Sequence, residues 1–219
     1  MSSRISTASI EHFNRLLSSS GFTSIIHKTP FEYNARLSKH YGHNIFFKRE
    51  DVQTVRSFKV RGAAAAISSL RSCDKRRGIV CASAGNHAQG VAHVSSSLSI
   101  PADIFVPLTT PTQKQQRIKH FLGTLGDDKL HTIGRNFEEC LQYAYAFAEK
   151  EKKVFIHPFD DPNIIHGQGT IGVDIYSSCK MLGIEPDIVI GSIGGGGMIA
   201  GVGTYLKEKY TSCKIVSTE

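Results

Sequence analysis

From residue 78 onward, short β-rich runs alternate with helical patterns, and this alternation limits most what the chain can fold into. The runs lie at 78–83, 102–107, 129–133, 154–157, 187–193 and 214–217. Between them, helical patterns cover about 87–98, 111–122, 137–147, 165–181 and 197–209. Phe137, Cys140, Leu141, Tyr143, Ala144 and Phe147, for example, recur at the spacing of one helix face. Strands joined through helices by short connections predict a parallel, doubly wound α/β architecture. The first 77 residues differ, with an amphipathic helix near 10–17, a strand at 44–48 and a helix after Ser57. The chain stops inside a strand with no helix to close it, which predicts a truncated sequence. Sheet edge and apolar surface exposed there would make such a chain poorly soluble.

Three segments within this frame carry chemistry. In Arg56-Ser57-Phe58-Lys59-Val60-Arg61-Gly62-Ala63, a lysine sits in the first turn of a predicted helix. A helix N-terminus and two neighbouring arginines disfavour the ammonium and free the amine for imine formation. Seen alone, Lys59 reads more readily as a solvated surface lysine. The stretch Ser83-Ala84-Gly85-Asn86-His87-Ala88-Gln89-Gly90 leaves a strand and opens a helix. Small residues there expose backbone N–H groups to a carboxylate or phosphate, although Ser and Asn are also ordinary helix caps. The third segment, Gly194-Gly195-Gly196-Gly197-Met198-Ile199-Ala200-Gly201, again turns from strand to helix, and its glycines let the backbone approach an anion closely. It also fits a dinucleotide fingerprint, with Gly195, Gly197 and Ala200 in place and Glu219 at the end of the next strand. That second reading makes the chain an oxidoreductase and leaves the other two segments unexplained. No GK[ST] follows the glycines, so a P-loop fails.

Composition removes several classes. The net charge of +7 is spread along the chain, and its densest cluster, Lys75-Arg76-Arg77, has no interleaved aromatics, which argues against nucleic acid. Cys73, Cys81, Cys140, Cys179 and Cys213 are odd in number and include no CxxC pair, so a disulfide framework and a zinc site are both disfavoured and no metal is expected. The Ser-rich start at 1–10 is too short and polar for a signal peptide, and no apolar run reaches membrane-spanning length. The expected compartment is the cytoplasm.

Taken together, the SFKVRGA, SAGNHAQG and GGGGM segments resemble the serine/threonine dehydratase family of pyridoxal-phosphate enzymes. Lys48-Arg49-Glu50-Asp51 and Gly167-Gln168-Gly169-Thr170 look like the same family, and the likeness runs from about Thr29 to the end. The resemblance implies a tryptophan-synthase-β-like fold (fold type II) with two doubly wound domains, the larger one incomplete. Residues 1–77 and 158–219 would belong to the larger domain, and 78–157 would form the smaller one. It further implies that Lys59 holds pyridoxal phosphate as a Schiff base and removes the substrate Cα proton. Phe58 would pack on the cofactor ring and Asn86 would bond its ring oxygen. Gly194, Gly195, Gly196, Gly197 and Met198 would cradle the phosphate. The N–H groups of Ser83, Ala84, Gly85, Asn86 and His87 would hold the substrate carboxylate.

Serine racemases carry a second serine where this chain has Ala84, so elimination is favoured over racemisation. The stretch His157-Pro158-Phe159-Asp160-Asp161-Pro162 looks like the threonine-specific members. The implied reaction is loss of water and ammonia from L-threonine, and from L-serine secondarily, at the first step of isoleucine synthesis. A homo-oligomer is expected of the full-length protein. A serine-racemase-like paralogue or a non-catalytic fragment remains the other descendant of such an enzyme.

Overall fold

The computed structural model describes residues 5–123 and 129–219, so residues 1–4 of the Ser-rich start lie outside the described residues. Four parallel strands form the central sheet: β3 (Ile79–Ala82), β4 (Ala102–Val106), β5 (Leu130–Thr132) and β6 (Val154–Phe155). Their spatial order is β5-β4-β3-β6. Every residue of β3 and β4 is buried, as expected of parallel strands covered on both faces. The side chains divide with a period of two. Ile79, Cys81, Ala102, Ile104 and Val106 enter one core, while Val80, Ala82 and Phe105 enter another.

The first core lies against α3 (Lys59–Ser68), α5 (Asn86–Ser97) and α6 (Thr112–Leu122). The second lies against α7 (Phe137–Lys150), through Cys140, Ala144 and Ala148. A third core gathers around α8 (Pro162–Leu182) and α9 (Gly197–Lys209), and α1 (Thr7–Leu17) joins it through Ile10. A separate parallel pair, β7 (Ile188–Ser192) and β8 (Lys214–Thr218), flanks α9. Ile188, Ile190 and Val216 stand exposed on its outer face. Among the described residues, no helix is long and apolar enough to cross a membrane.

The predicted elements from 78 onward are all present. The chain adds β1 (Phe31–Tyr33), which pairs antiparallel with β2 (Phe46–Lys48), together with α2 (Ala35–Tyr41) and α4 (Ser72–Arg77). The helix predicted at 165–181 begins three residues earlier, at Pro162, because Asp161 caps it with bonds from the N–H groups of Asn163 (2.7 Å) and Ile164 (3.2 Å).

Chain order positions the site. From β3 the chain moves outward to β4 and β5, then returns to the other side of β3 as β6. The carboxyl ends of β3 and β6 therefore flank a topological switch point, where open α/β sheets bind ligands.

Candidate active site

Lys59 opens α3, a helix buried along almost its whole length. Its glycine and four consecutive alanines let it lie close between α5 and α8. A Cβ on Gly62 would come within 2.2 Å of the Gln168 side chain, and one on Gly167 within 2.6 Å of the Arg61 carbonyl. On the other side, a Cβ on Gly90 would stand 3.2 Å from the Lys59 carbonyl carbon. The turn bearing the lysine is thus fixed by backbone packing on two sides.

The amine of Lys59 donates to the Pro158 carbonyl oxygen at 2.7 Å and lies 5.5 Å from the centre of the Phe58 ring. Burial lowers its pKa from the ordinary lysine value. The expectation that Arg56 and Arg61 do this is corrected. Arg61 is neutralised by Glu50 and Asp174, and Arg56 is exposed in a left-handed turn with φ 57°. Phe58 packs against the core around α8 and α9.

The second segment leaves β3. The Ser83 N–H donates to the Phe105 carbonyl (3.0 Å) and the Gly85 N–H to Ser83 Oγ (3.1 Å). Those two donors are occupied. The sequence expectation of five N–H groups for a carboxylate therefore narrows to Ala84 and the first residues of α5, Asn86 and His87, whose N–H groups have no intrahelical partner. Asn86 is exposed at the helix start and His87 is buried. His87 Nε2 lies 3.0 Å from the Ile156 carbonyl oxygen, which fixes the tautomer with the proton on Nε2. Its Nδ1 is buried without a protein partner.

Burial pushes the His87 imidazole down to about 3, so it is neutral at physiological pH. The unfolded chain then binds more protons than the native one as pH falls below the ordinary histidine value of about 6.5. His87 therefore contributes stability that is full above that value and is lost as pH falls toward its folded value. His157 and His166, also lowered by burial, act with the same sign. Urea midpoints compared at pH 7 and pH 5 should drop for the wild type and drop less for His87→Gln. Equal pH dependence in the two proteins would refute the assignment.

The third segment joins β7 to α9. Gly196 has φ 81°, a left-handed conformation that favours glycine, and Gly197 starts the helix. A Cβ on Gly195 would meet the Phe159 ring at 2.0 Å, and one on Gly197 the Phe159 carbonyl oxygen at 2.7 Å. At Gly194 and Gly196 a Cβ would meet nothing within 4 Å. The Met198 side chain turns back toward Gly191 and the third core, so only its backbone faces the turn.

All three segments meet one stretch of chain, Ile156, His157, Pro158 and Phe159, leaving the carboxyl end of β6. Ile156 faces His87, Pro158 holds Lys59, and Phe159 lies on the glycine turn. Sequence reasoning used this stretch only as a resemblance and did not place it in the site. Its position at the end of a strand beside a reversal of strand order was the available signal. Two clefts elsewhere, of about 700 and 660 Å³, are lined by residues such as Arg135 and Tyr143, and His12 and His166. Neither is lined by Lys59.

The family described as "Pyridoxal-phosphate dependent enzyme" matches residues 22–219. The chain is 45% identical over 198 residues to a protein of Lactococcus lactis named L-threonine dehydratase biosynthetic IlvA, covering 90% of this chain and 47% of that one. A Bacillus subtilis protein of the same name is 45% identical over 195 residues, covering 89% of this chain and 45% of its own length. The chain thus spans about half the length of the curated relatives it matches. Among solved structures, threonine deaminase isoform 2 of Solanum lycopersicum superposes with a TM-score of 0.84 at 36% identity, covering 96% of this chain and 59% of that one. Maize serine racemase does so with 0.87 at 28% identity, covering 98% and 61%.

Proposed function

We propose, on the premise that this chain belongs to the family of pyridoxal-phosphate-dependent enzymes, that it carries much of the catalytic apparatus of a threonine ammonia-lyase. The reaction is conversion of L-threonine to 2-oxobutanoate and ammonia, with L-serine as a second substrate, at the first step of isoleucine synthesis. The observation that supports this best is the meeting of an amine, a helix N-terminus and a glycine turn on residues 156–159 at the switch point.

The residues fit the cofactor. Lys59 offers a half-buried amine that, among the described residues, is paired with no carboxylate. The turn at 194–197 offers bare backbone, with open space at Gly194 and Gly196, at the N-terminus of α9. Lys59 would hold the group covalently, with Phe58 beside its ring and Asn86 on its ring oxygen. Gly194, Gly195, Gly196, Gly197 and the Met198 backbone would hold its phosphate. When bound, the cofactor supplies an electron sink for the pair left at the substrate Cα.

The chain's own groups do the rest. The N–H groups of Ala84, Asn86 and His87 would bind the substrate carboxylate at the positive end of α5. Lys59 Nζ, its basicity lowered by burial, takes the Cα proton from one face. Ala84 has no proton to give on the other face, so the substrate is directed to lose its β-hydroxyl rather than invert. The same reading makes the full-length protein a homo-oligomer of the cytoplasm, and five free cysteines suit a reducing compartment.

Full-length protein given pyridoxal phosphate and L-threonine should release 2-oxobutanoate and ammonia in equal amounts. NADH turnover without deamination would sink the reading in favour of an oxidoreductase. Serine racemised faster than it is deaminated would sink it in favour of a racemase.

A further inference from the structure

The glycine turn does not hold its own shape by side-chain packing, because it has no side chains. Its shape is set by whatever lies beneath it, and Phe159 lies there. The three heavy atoms nearest a Cβ built on Gly195 all belong to the Phe159 ring, at 2.0, 2.3 and 2.3 Å. The nearest is Cγ, the root of the ring, which stays in place when the ring turns about χ2, so only a change of χ1 rotamer or a shift of the backbone would clear it. That backbone is itself fixed. The Phe159 carbonyl oxygen would be 2.7 Å from a Cβ on Gly197. His157 Nδ1 accepts the N–H groups of Phe159 (3.3 Å) and Asp160 (2.7 Å), closing the turn. The His157 ring stands edge-on to the Phe159 ring at 4.8 Å. Upstream, the Ile156 N–H donates to the Val80 carbonyl at 2.8 Å, tying the segment to the sheet.

Next to this platform, the Pro158 carbonyl holds the Lys59 amine at 2.7 Å. One rigid dipeptide therefore touches both groups whose separation a phosphorylated, lysine-bound ligand must match. We propose that Phe159 is a positioning residue that sets the height of the glycine turn relative to Lys59, and so the preference of the site for a phosphorylated ligand. The inference rests on the reading of Gly194, Gly195, Gly196 and Gly197 as the phosphate cradle. It makes Gly195 a glycine because of the ring beneath it, and not because of backbone conformation, since φ there is not left-handed.

The test compares pyridoxal phosphate with pyridoxal, by cofactor absorbance and fluorescence titration of the full-length protein. The readout is the ratio of the two dissociation constants, which a loss of general stability does not move. Gly195→Ala should reduce the preference for the phosphorylated form about tenfold, within the coupling range of touching residues. Adding Phe159→Ala should restore most of that loss, whereas it should not restore a loss caused by Gly194→Ala, whose Cβ meets no neighbour. Phe159→Leu, which keeps an apolar contact with less bulk, serves the same comparison if the alanine variant folds poorly. Additive losses in the Gly195 and Phe159 double variant would overturn the positioning role. A wild type that binds pyridoxal as tightly as its phosphate would instead overturn the phosphate cradle itself.

Discussion

Replacing Lys59 with Ala is expected to abolish threonine deamination and to leave pyridoxal phosphate bound only noncovalently. The amine serves twice in the proposed reaction, as the covalent holder of the cofactor and as the base at Cα. Loss of a positioned proton-transfer group costs up to about 10⁴-fold, and loss of the attachment adds to it, so kcat should fall by at least about that factor. The helix should survive the change, because α3 is held by Gly62 against Gln168 and by Gly90 against the Lys59 backbone, not by the lysine side chain. Lys59→Arg should fare no better, since a guanidinium stays protonated throughout the working range. Mass analysis after borohydride reduction should find cofactor mass on the Lys59 peptide of the wild type and on no peptide of the variant. Retention of more than about a hundredth of wild-type kcat in Lys59→Ala would remove the lysine from the mechanism, since the loss would then lie below the roughly 10²- to 10⁴-fold range of such groups, before the lost attachment is added.

The pH profile gives an independent check on the amine. Burial favours its neutral form, so the group that must be unprotonated titrates below the ordinary lysine value. Activity limited by this base should therefore reach its plateau at a lower pH than a solvent-exposed lysine would allow.

Much of this was legible in the residues. The two central strands, β3 and β4, are buried on both faces and so read as mostly apolar runs, visible as such. The elements that escaped notice are short and carry no apolar stripe. Only Ser38 is buried in α2, so hydrophobic periodicity has nothing to detect there. Its caps were a usable signal, with Asn34 accepting from the Leu37 N–H and Gly42 left-handed at φ 69°. In α4, Asp74 is bracketed by Arg71 and Arg77 three residues away on either side, a local ion-pair pattern that apolar patterning ignores.

The segments at 83–90 and 194–201 stood out because small residues that leave a strand and open a helix expose backbone, and the segment at 56–63 because it puts a lysine in the first turn of a helix. Residues 156–159 did not, because their contribution to Lys59 and His87 is made by carbonyl oxygens, which every residue has. The source of the Lys59 shift was misread for a related reason. Neighbours in sequence suggested arginine repulsion, whereas the nearer arginine in the helix points its charge into a pair of carboxylates far away along the chain.

That arrangement yields the second large effect. Arg61 is 3% exposed and donates to both oxygens of Glu50 at 2.8 Å, to Asp174 at 2.7 Å and to Thr170 at 3.1 Å. Lys48 adds a second cation to Asp174 at 3.0 Å, and Thr29 donates to Glu50 at 2.5 Å. Lys48 and Glu50 from the first of the stretches noticed as a resemblance, and Thr170 from the second, thus meet in one cluster around Arg61 on the helix that bears Lys59. Removing Arg61 as Arg61→Ala takes from buried Glu50 the cation it pairs with and leaves Asp174 with Lys48 alone, a change that typically costs about 3–5 kcal/mol. For a chain of this size that lowers Tm by roughly 10 °C. Arg61→Lys should recover little, because a single ammonium cannot serve two carboxylates on different elements.

The pH dependence has a defined sign. Burial alone would raise the Asp174 carboxyl, but Arg61 and Lys48 outweigh it and hold the group below the usual carboxylate range. Its contribution is therefore full above the unfolded value of about 3.9 and is lost as pH falls through the folded one. In Arg61→Ala that depression is relieved, so the gap between variant and wild type should be widest near neutral pH and narrow as the medium turns acid. Thermal melts across that range test both statements. A variant within about 1 kcal/mol of wild type at pH 7 would mean that water, not Arg61, satisfies the two carboxylates, since an uncompensated buried charge costs several times that.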